Sequence, residues 1–156
     1  METDDLTCGI EDTILNIRTS GLLKKENKLL LHKKLGDDSY ALVGGRIKTN
    51  EDSETAVCRE FQEELAITIE VNSLLWVVEN FYQYGEQKIH EILFVYHVET
   101  CDHLPLQPFE KEGSSFVWAP VSEIKHLNLR PDFLKKKEDL FPKTVTHVVN
   151  RDKKEG

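Results

Sequence analysis

Apolar positions in this chain come in short extended blocks, and one stretch repeats them at helical spacing. Residues 13–19 and 21–25 read as strand, and Lys28–Lys34 as another, with the turn-forming pair Glu26-Asn27 between them. In that second block Leu29, Leu31 and Lys33 alternate imperfectly against Lys28, Leu30 and His32, as expected of a partly covered strand. Residues 36–39 form a loop, and 40–43 a short strand running into Gly44-Gly45. Residues 68–80 read as extended, Gly85-Glu86 as a turn, and 89–100 as an interior strand on its β-branched and aromatic content. Residues 101–115 carry Pro105, Pro108 and Gly113 and read as loop, 116–118 as the last short strand, and Pro120 and Pro131 as the starts of helical pieces.

The helical stretch is Ser53–Leu65, which contains no Gly or Pro. Asn50, Asp52 and Ser53 are helix-start residues, and Glu51 and Glu54 suit the positive end of a helix dipole. At roughly 100° per residue, Val57, Cys58, Phe61 and Leu65 form the buried stripe. Glu60, Glu63 and Glu64 share an arc of about 100° beside it, with Glu63 on the side of Arg59. Three carboxylates so placed repel one another, and a hard divalent ion with oxygen ligands is the natural counterweight. An acidic helix face by itself reads as solvated surface.

Strands wrapped around internal helices and covered on both faces predict an α/β layered sandwich with a mixed sheet, in a single domain. With 156 residues the chain is long enough for one proper core. We expect an N-terminal tail over 1–12, the domain over 13–150 and a C-terminal tail over 151–156. The net charge of −8 argues against general nucleic-acid binding, although bound metal can reverse the local sign for a small phosphorylated substrate. Cys8, Cys58 and Cys101 are odd in number and form no CxxC pair, the N-terminus has no apolar run, and no stretch approaches a membrane span. These features point to a cytoplasmic protein without membrane attachment and leave oligomerisation open.

What changes the reading of the acidic helix is its surroundings. Residues 44–67 read GGRIKTNEDSETAVCREFQEELAI: Gly45, five residues, Glu51, seven residues, then Arg59-Glu60-Phe61-Gln62-Glu63-Glu64-Leu65-Ala66-Ile67. This closely resembles the signature of the Nudix hydrolases, matching every fixed position except the last Gly, where Ala66 stands. Either Ala66 takes a left-handed conformation at a cost of about 1 kcal/mol, or the helix ends on a different turn. Val43 stands where many relatives have Pro.

The resemblance implies an α/β/α Nudix sandwich and a Mg²⁺-dependent pyrophosphohydrolase, with Mn²⁺ as a substitute, acting on a nucleoside diphosphate linked to another moiety. It implies that Glu60, Glu63 and Glu64 bind the metal, that Arg59 orients a catalytic glutamate, and that Glu51 is a motif glutamate of variable role. It also implies that the Gly44-Gly45 loop brings backbone close to metal and phosphate. Some Nudix enzymes recruit a further carboxylate from a strand, which makes Glu91 a candidate ligand on a strand facing the acidic helix. Arg18 on the first strand is a candidate for phosphate or ribose contact, and Trp76, Phe81, Tyr82 and Tyr84 for base stacking; His147 reads as structural. The absence of Pro between Ile67 and Pro105 departs from the ADP-ribose subgroup, and the aromatic and proline array of the NADH subgroup is missing. Tyr84, 17 residues after Ile67, weakly resembles the dinucleoside polyphosphate subgroup, and makes Tyr84 a candidate substrate contact. The rival reading is a non-catalytic Nudix-fold module that binds a nucleotide without cleaving it.

Overall fold

The computed structural model describes residues 4–151. Ten strands form a mixed sheet: β1 (Thr7–Ile10), β2 (Thr13–Lys25), β3 (Lys28–Lys34), β4 (Tyr40–Arg46), β5 (Glu70–Tyr84), β6 (Gln87–Glu99), β7 (Phe109–Lys111), β8 (Ser114–Pro120), β9 (Leu129–Arg130) and β10 (Thr146–Arg151). The order is β10-β5-β6-β2-β4-β3-β8-β7, with β1 also on β2 and β9 also on β4. β2 runs parallel to β6, and β10 parallel to β5. The other long pairings are antiparallel.

Two apolar layers lie on opposite faces. The helix α1 (Ser53–Leu65) packs Val57, Phe61 and Leu65 onto Leu23, Leu30, Val43 and Val98. Its fit depends on Gly21, where an added Cβ would lie 2.7 Å from the Phe61 ring. On the other face Leu22, Leu29, Leu31 and Leu93 meet Ile124, Phe133 and Leu134. Successive leucines of β3 therefore enter different cores, which is why that strand shows no clean apolar–polar alternation.

The helix bounds match the expectation, and Asp52 caps α1 through Oδ1, which accepts from the Thr55 N–H at 2.8 Å. Ala66 takes the left-handed alternative, with φ 55° and ψ 35°, and donates its N–H to the Gln62 carbonyl. Elsewhere the expectations need correction. The helical pieces after Pro120 and Pro131 are 3₁₀ segments, Val121–His126 and Asp132–Lys136, so the second outer layer is thin. Residues 116–118 are not the last strand, because β9 and β10 follow. The expected N-terminal tail contains β1, paired with β2, and Arg151 of the expected C-terminal tail belongs to β10. The remainder of those tails, 1–3 and 152–156, lies outside the described residues. Cys8, Cys58 and Cys101 are free thiols, and no helix among the described residues is long and apolar enough to cross a membrane.

Candidate active site

A cleft of about 750 Å³ is lined by β2, β3, β4, β5, β6 and the carboxylate side of α1. Of the residues singled out from the sequence, Arg18, Gly44, Gly45, Glu60, Glu64, Tyr84 and Glu91 line it, whereas Glu51, Arg59 and Glu63 do not.

Gly44 and Gly45 are not a loop. They are residues of β4, paired with Ser20 and Thr19 of β2. Their lack of a side chain is used for close approach: a Cβ on Gly45 would stand 2.6 Å from the Glu60 carboxylate, and one on Gly44 would collide with the Thr19 carbonyl. Val43, in the place where relatives carry Pro, is a fully buried core residue of the same strand.

Behind the cleft wall, Arg59 holds a cluster of carboxylates. Its Nε and Nη2 donate to Glu51 Oε2 and Oε1, both at 2.8 Å, a fork-on-fork pair. Nη1 donates to Glu60 Oε1 at 3.0 Å and to Glu63 Oε2 at 3.1 Å, and Nη2 also reaches the Arg46 carbonyl at 3.1 Å. These bonds push the guanidinium pKa up, the Glu51 bond most. The same pair holds the Glu51 carboxyl below its ordinary value. Glu63, with a half-exposed side chain drawn onto Arg59, is thereby turned away from the cleft.

Glu60 and Glu64 face the cleft under strain of charge. Burial raises the pKa of Glu60, against the pull of Arg59. Burial, and then the charge of Glu60, push Glu64 up to about 7, while Lys34 and Arg18 draw it back. Glu64 Oε2 is a buried oxygen with no hydrogen-bond partner. His32 Nδ1 lies 3.7 Å from Glu64 Oε1, within ion-pair range. Burial nevertheless holds the ring down to about 4, so it is neutral at pH 7 and the contact is not a salt bridge.

Glu91 does not face α1 across the sheet. It shares the face of Leu93 and Val95, which pack in the core opposite the helix, and it borders the same cleft from there. Asn80 Nδ2 donates to Glu91 Oε2 at 3.0 Å, and the Tyr82 hydroxyl and Arg18 Nε each lie 3.5 Å from Oε1. Burial first, then the Glu91 charge, push Tyr82 up to about 12. Among the aromatic candidates Tyr82 and Tyr84 line the cleft, Tyr84 at its exposed lip, while Trp76 is core and bonded to the Leu140 carbonyl. His147 bonds Glu79 at 2.7 Å, away from the cleft. Sequence reading missed Asn16, His32, Lys34 and Asn80 as lining residues. The available signal was polar residues inside otherwise apolar strands, at Asn16, His32 and Asn80.

This is a paired-carboxylate cleft on a Gly-strand–helix frame. The NUDIX domain family model matches residues 15–143, and the chain belongs to the Nudix hydrolase family. The Nudix hydrolase YvcI of Bacillus subtilis is 25% identical over 143 residues, covering 87% of this chain and 89% of that protein. An ADP-ribose pyrophosphatase of Methanocaldococcus jannaschii is 38% identical over 64 residues, a match that spans 39% of this chain and only 38% of that enzyme. In fold, a NUDIX hydrolase from Nitrosomonas europaea superposes with a TM-score of 0.62 at 16% identity, covering 88% of this chain and 79% of that one.

Proposed function

We propose that this chain is a metal-dependent pyrophosphohydrolase of the cytoplasm that cleaves the diphosphate linkage of a nucleoside diphosphate joined to another moiety. The observation that carries the reading is the pair Glu60 and Glu64, side by side on one cleft wall, with Glu64 Oε2 buried and unpartnered. An orphaned carboxylate oxygen in a buried place calls for a cation. Among the described residues no three acidic, His or Cys side chains already converge as a metal cluster. The donor set still suits Mg²⁺, which takes one or two carboxylates and keeps much of its water. The missing side chain of Gly45 lets the Glu60 carboxylate seat directly against β4 at the cleft wall.

Glu60 and Glu64 are the residues we assign to hold the ion, with Glu91 as the carboxylate available from the sheet and the Gly44-Gly45 backbone alongside. Bound there, Mg²⁺ or Mn²⁺ supplies a Lewis acid for the phosphoryl oxygens and makes a water more acidic. The chain's own groups do the rest. Arg18 and Lys34 line the cleft as cations for the phosphates. Arg59 fixes Glu60 from behind, so that its carboxylate need not reorganise during the reaction. Glu64 Oε2 is the oxygen with no donor of its own, and it is free either to hold the ion or to take the water's proton. The named relative that hydrolyses ADP-ribose supports a nucleoside-diphosphate substrate class without choosing the member.

The test is a panel of nucleotide sugars, ADP-ribose, dinucleoside polyphosphates, nucleoside triphosphates, CoA and NADH, assayed with Mg²⁺ and with Mn²⁺. We expect a nucleoside monophosphate among the products of at least one. Binding without turnover across the whole panel would mean that the protein recognises nucleotides and does not cleave them.

A further inference from the structure

One lateral row of the sheet is polar from edge to edge. Asn150 of β10 pairs with Asn80 of β5, Asn80 with Glu91 of β6, Glu91 with Asn16 of β2, and Asn16 with Thr7 of β1. Asn150, Asn80, Glu91 and Asn16 are all at most 5% exposed. The adjacent row on one side is Val148, Val78, Leu93 and Arg18, and that on the other includes Tyr82, Ile89 and Ile14; Arg18 and Tyr82 each lie 3.5 Å from Glu91 Oε1. A buried polar row flanked mostly by apolar side chains is costly unless its members are satisfied. Two stretches of it bond internally: Asn150 Nδ2 donates to Asn80 Oδ1 at 2.7 Å and Asn80 Nδ2 to Glu91 Oε2 at 3.0 Å, while beyond Glu91 Thr7 Oγ1 donates to Asn16 Oδ1 at 2.7 Å.

The row has a direction. A carboxylate only accepts, so Asn80 must turn its NH₂ towards Glu91, and its carbonyl then points at β10. That carbonyl needs a donor, which Asn150 provides. Take the donor away, and the Asn80 carbonyl is left buried without a partner, so that only the bond to Glu91 still holds the amide; put an acceptor in its place, and two acceptors compete for one NH₂, so that the reversed amide would turn an oxygen to the Glu91 carboxylate. Asn16, Asn80 and Glu91 line the cleft, whereas Asn150 does not.

We propose that Asn150, on the C-terminal strand and outside the cleft, is a positioning residue that fixes the Glu91 carboxylate in the active site by setting the orientation of the Asn80 amide. The proposal rests on the hydrolase reading for its effect on catalysis, and on the row alone for its effect on Asn80. It makes β10 part of the active-site framework.

The test compares wild type with Asn150→Asp, which keeps the shape and removes the donor, and with the apolar near-isostere Asn150→Leu, which carries the test should the aspartate variant fail to fold. Val149→Ser, an exposed neighbour on the same strand, is the control. Loss of a group that orients an active-site ligand typically costs about 10- to 100-fold. We expect kcat to fall at least about tenfold with KM within about twofold, and Mg²⁺ affinity of the substrate-free protein, by calorimetry, to weaken by a similar factor. In an Asn80→Leu background the Asn150 substitution should have no further effect on kcat, because its route to Glu91 is already cut. The Asn80 side-chain NH₂ signals in NMR should shift in the Asn150 variants and stay put in Val149→Ser. Unchanged kcat, or an undiminished loss in the Asn80→Leu background, overturns the proposal. If wild type turns over no substrate, the hydrolase reading fails by itself. The NMR arm then decides alone: shifted Asn80 signals support the row, and unshifted ones overturn it.

Discussion

Arg59 grips Glu51 with two parallel hydrogen bonds of 2.8 Å across eight residues of sequence, joining the segment before α1 to the middle of the helix. The pair lowers the pKa of Glu51 from its ordinary 4.5. A carboxyl whose pKa is lower in the folded state contributes stability above its unfolded value and loses it as pH falls through the folded one. In the presence of a chelator, wild type should therefore lose part of its melting temperature as pH drops below about 4.5. Glu51→Gln should melt lower than wild type at pH 7, and the gap should close in acid. Thermal melts from pH 3 to 7 check this; a gap that does not vary with pH would show that the pair contributes nothing through its charge.

Ala66 sits where the backbone is left-handed, at φ 55°, with its Cβ crowded against the carbonyl. Replacement by Gly relieves that crowding, and we expect Ala66→Gly to stabilise the protein by about 1 kcal/mol, offset in part by the greater freedom of Gly when unfolded. In a chain of this size that is a rise of roughly 2–4 °C in Tm. Turnover should be unchanged, since Ala66 touches nothing in the cleft. A drop in Tm would show that the helix end prefers some other turn once Gly is present.

How far the site could be read in advance follows the range of the interactions involved. The helix, its buried stripe and the cluster around Arg59 depend on contacts within about two turns or one loop, so spacing carries them. Glu63 was distinguishable only because its arc leans towards Arg59, and the structure completes that lean as a bond at 3.1 Å. Gly44-Gly45 reads as a loop in isolation; its pairing with Thr19 and Ser20 is a contact across more than twenty residues, invisible to local pattern. Glu91 was found by resemblance, but which face it takes depends on the register of β6 against β2 and β5. β10 has a weak local signal, because four of its six residues are polar and its place is set by a parallel pairing with β5 some seventy residues earlier.

Gly45 should be intolerant of any side chain. The Cβ of alanine would stand 2.6 Å from the Glu60 carboxylate, so either the helix or that side chain must move. We expect Gly45→Ala to lower kcat by at least about tenfold, as a small displacement of a catalytic group does, and to weaken the Mg²⁺-induced rise in Tm. Steady-state kinetics and thermal melts with and without Mg²⁺ are the measurements. Near-normal values in both would place Glu60 outside the reaction.

The carboxylates of α1 divide by environment. Glu60 and Glu64 line the cleft and are partly buried, whereas Glu63 is more than half exposed and held by Arg59. We expect Glu60→Gln and Glu64→Gln each to lower kcat by at least about 100-fold, the scale for loss of a metal ligand or general base. Glu63→Gln should cost less than either, because its bond to Arg59 is one of several. Without metal, Glu64→Gln should melt level with wild type or above it, since it removes a partly buried charge with an unpartnered oxygen beside Glu60. With Mg²⁺, wild type should gain Tm because the ion binds the folded face alone, and Glu60→Gln and Glu64→Gln should lose most of that gain. The comparison has a clear failing outcome. If Glu63→Gln abolished turnover and the Mg²⁺ shift while Glu64→Gln kept both, the ion would sit on the Arg59 side of the helix and the cleft would not be its site.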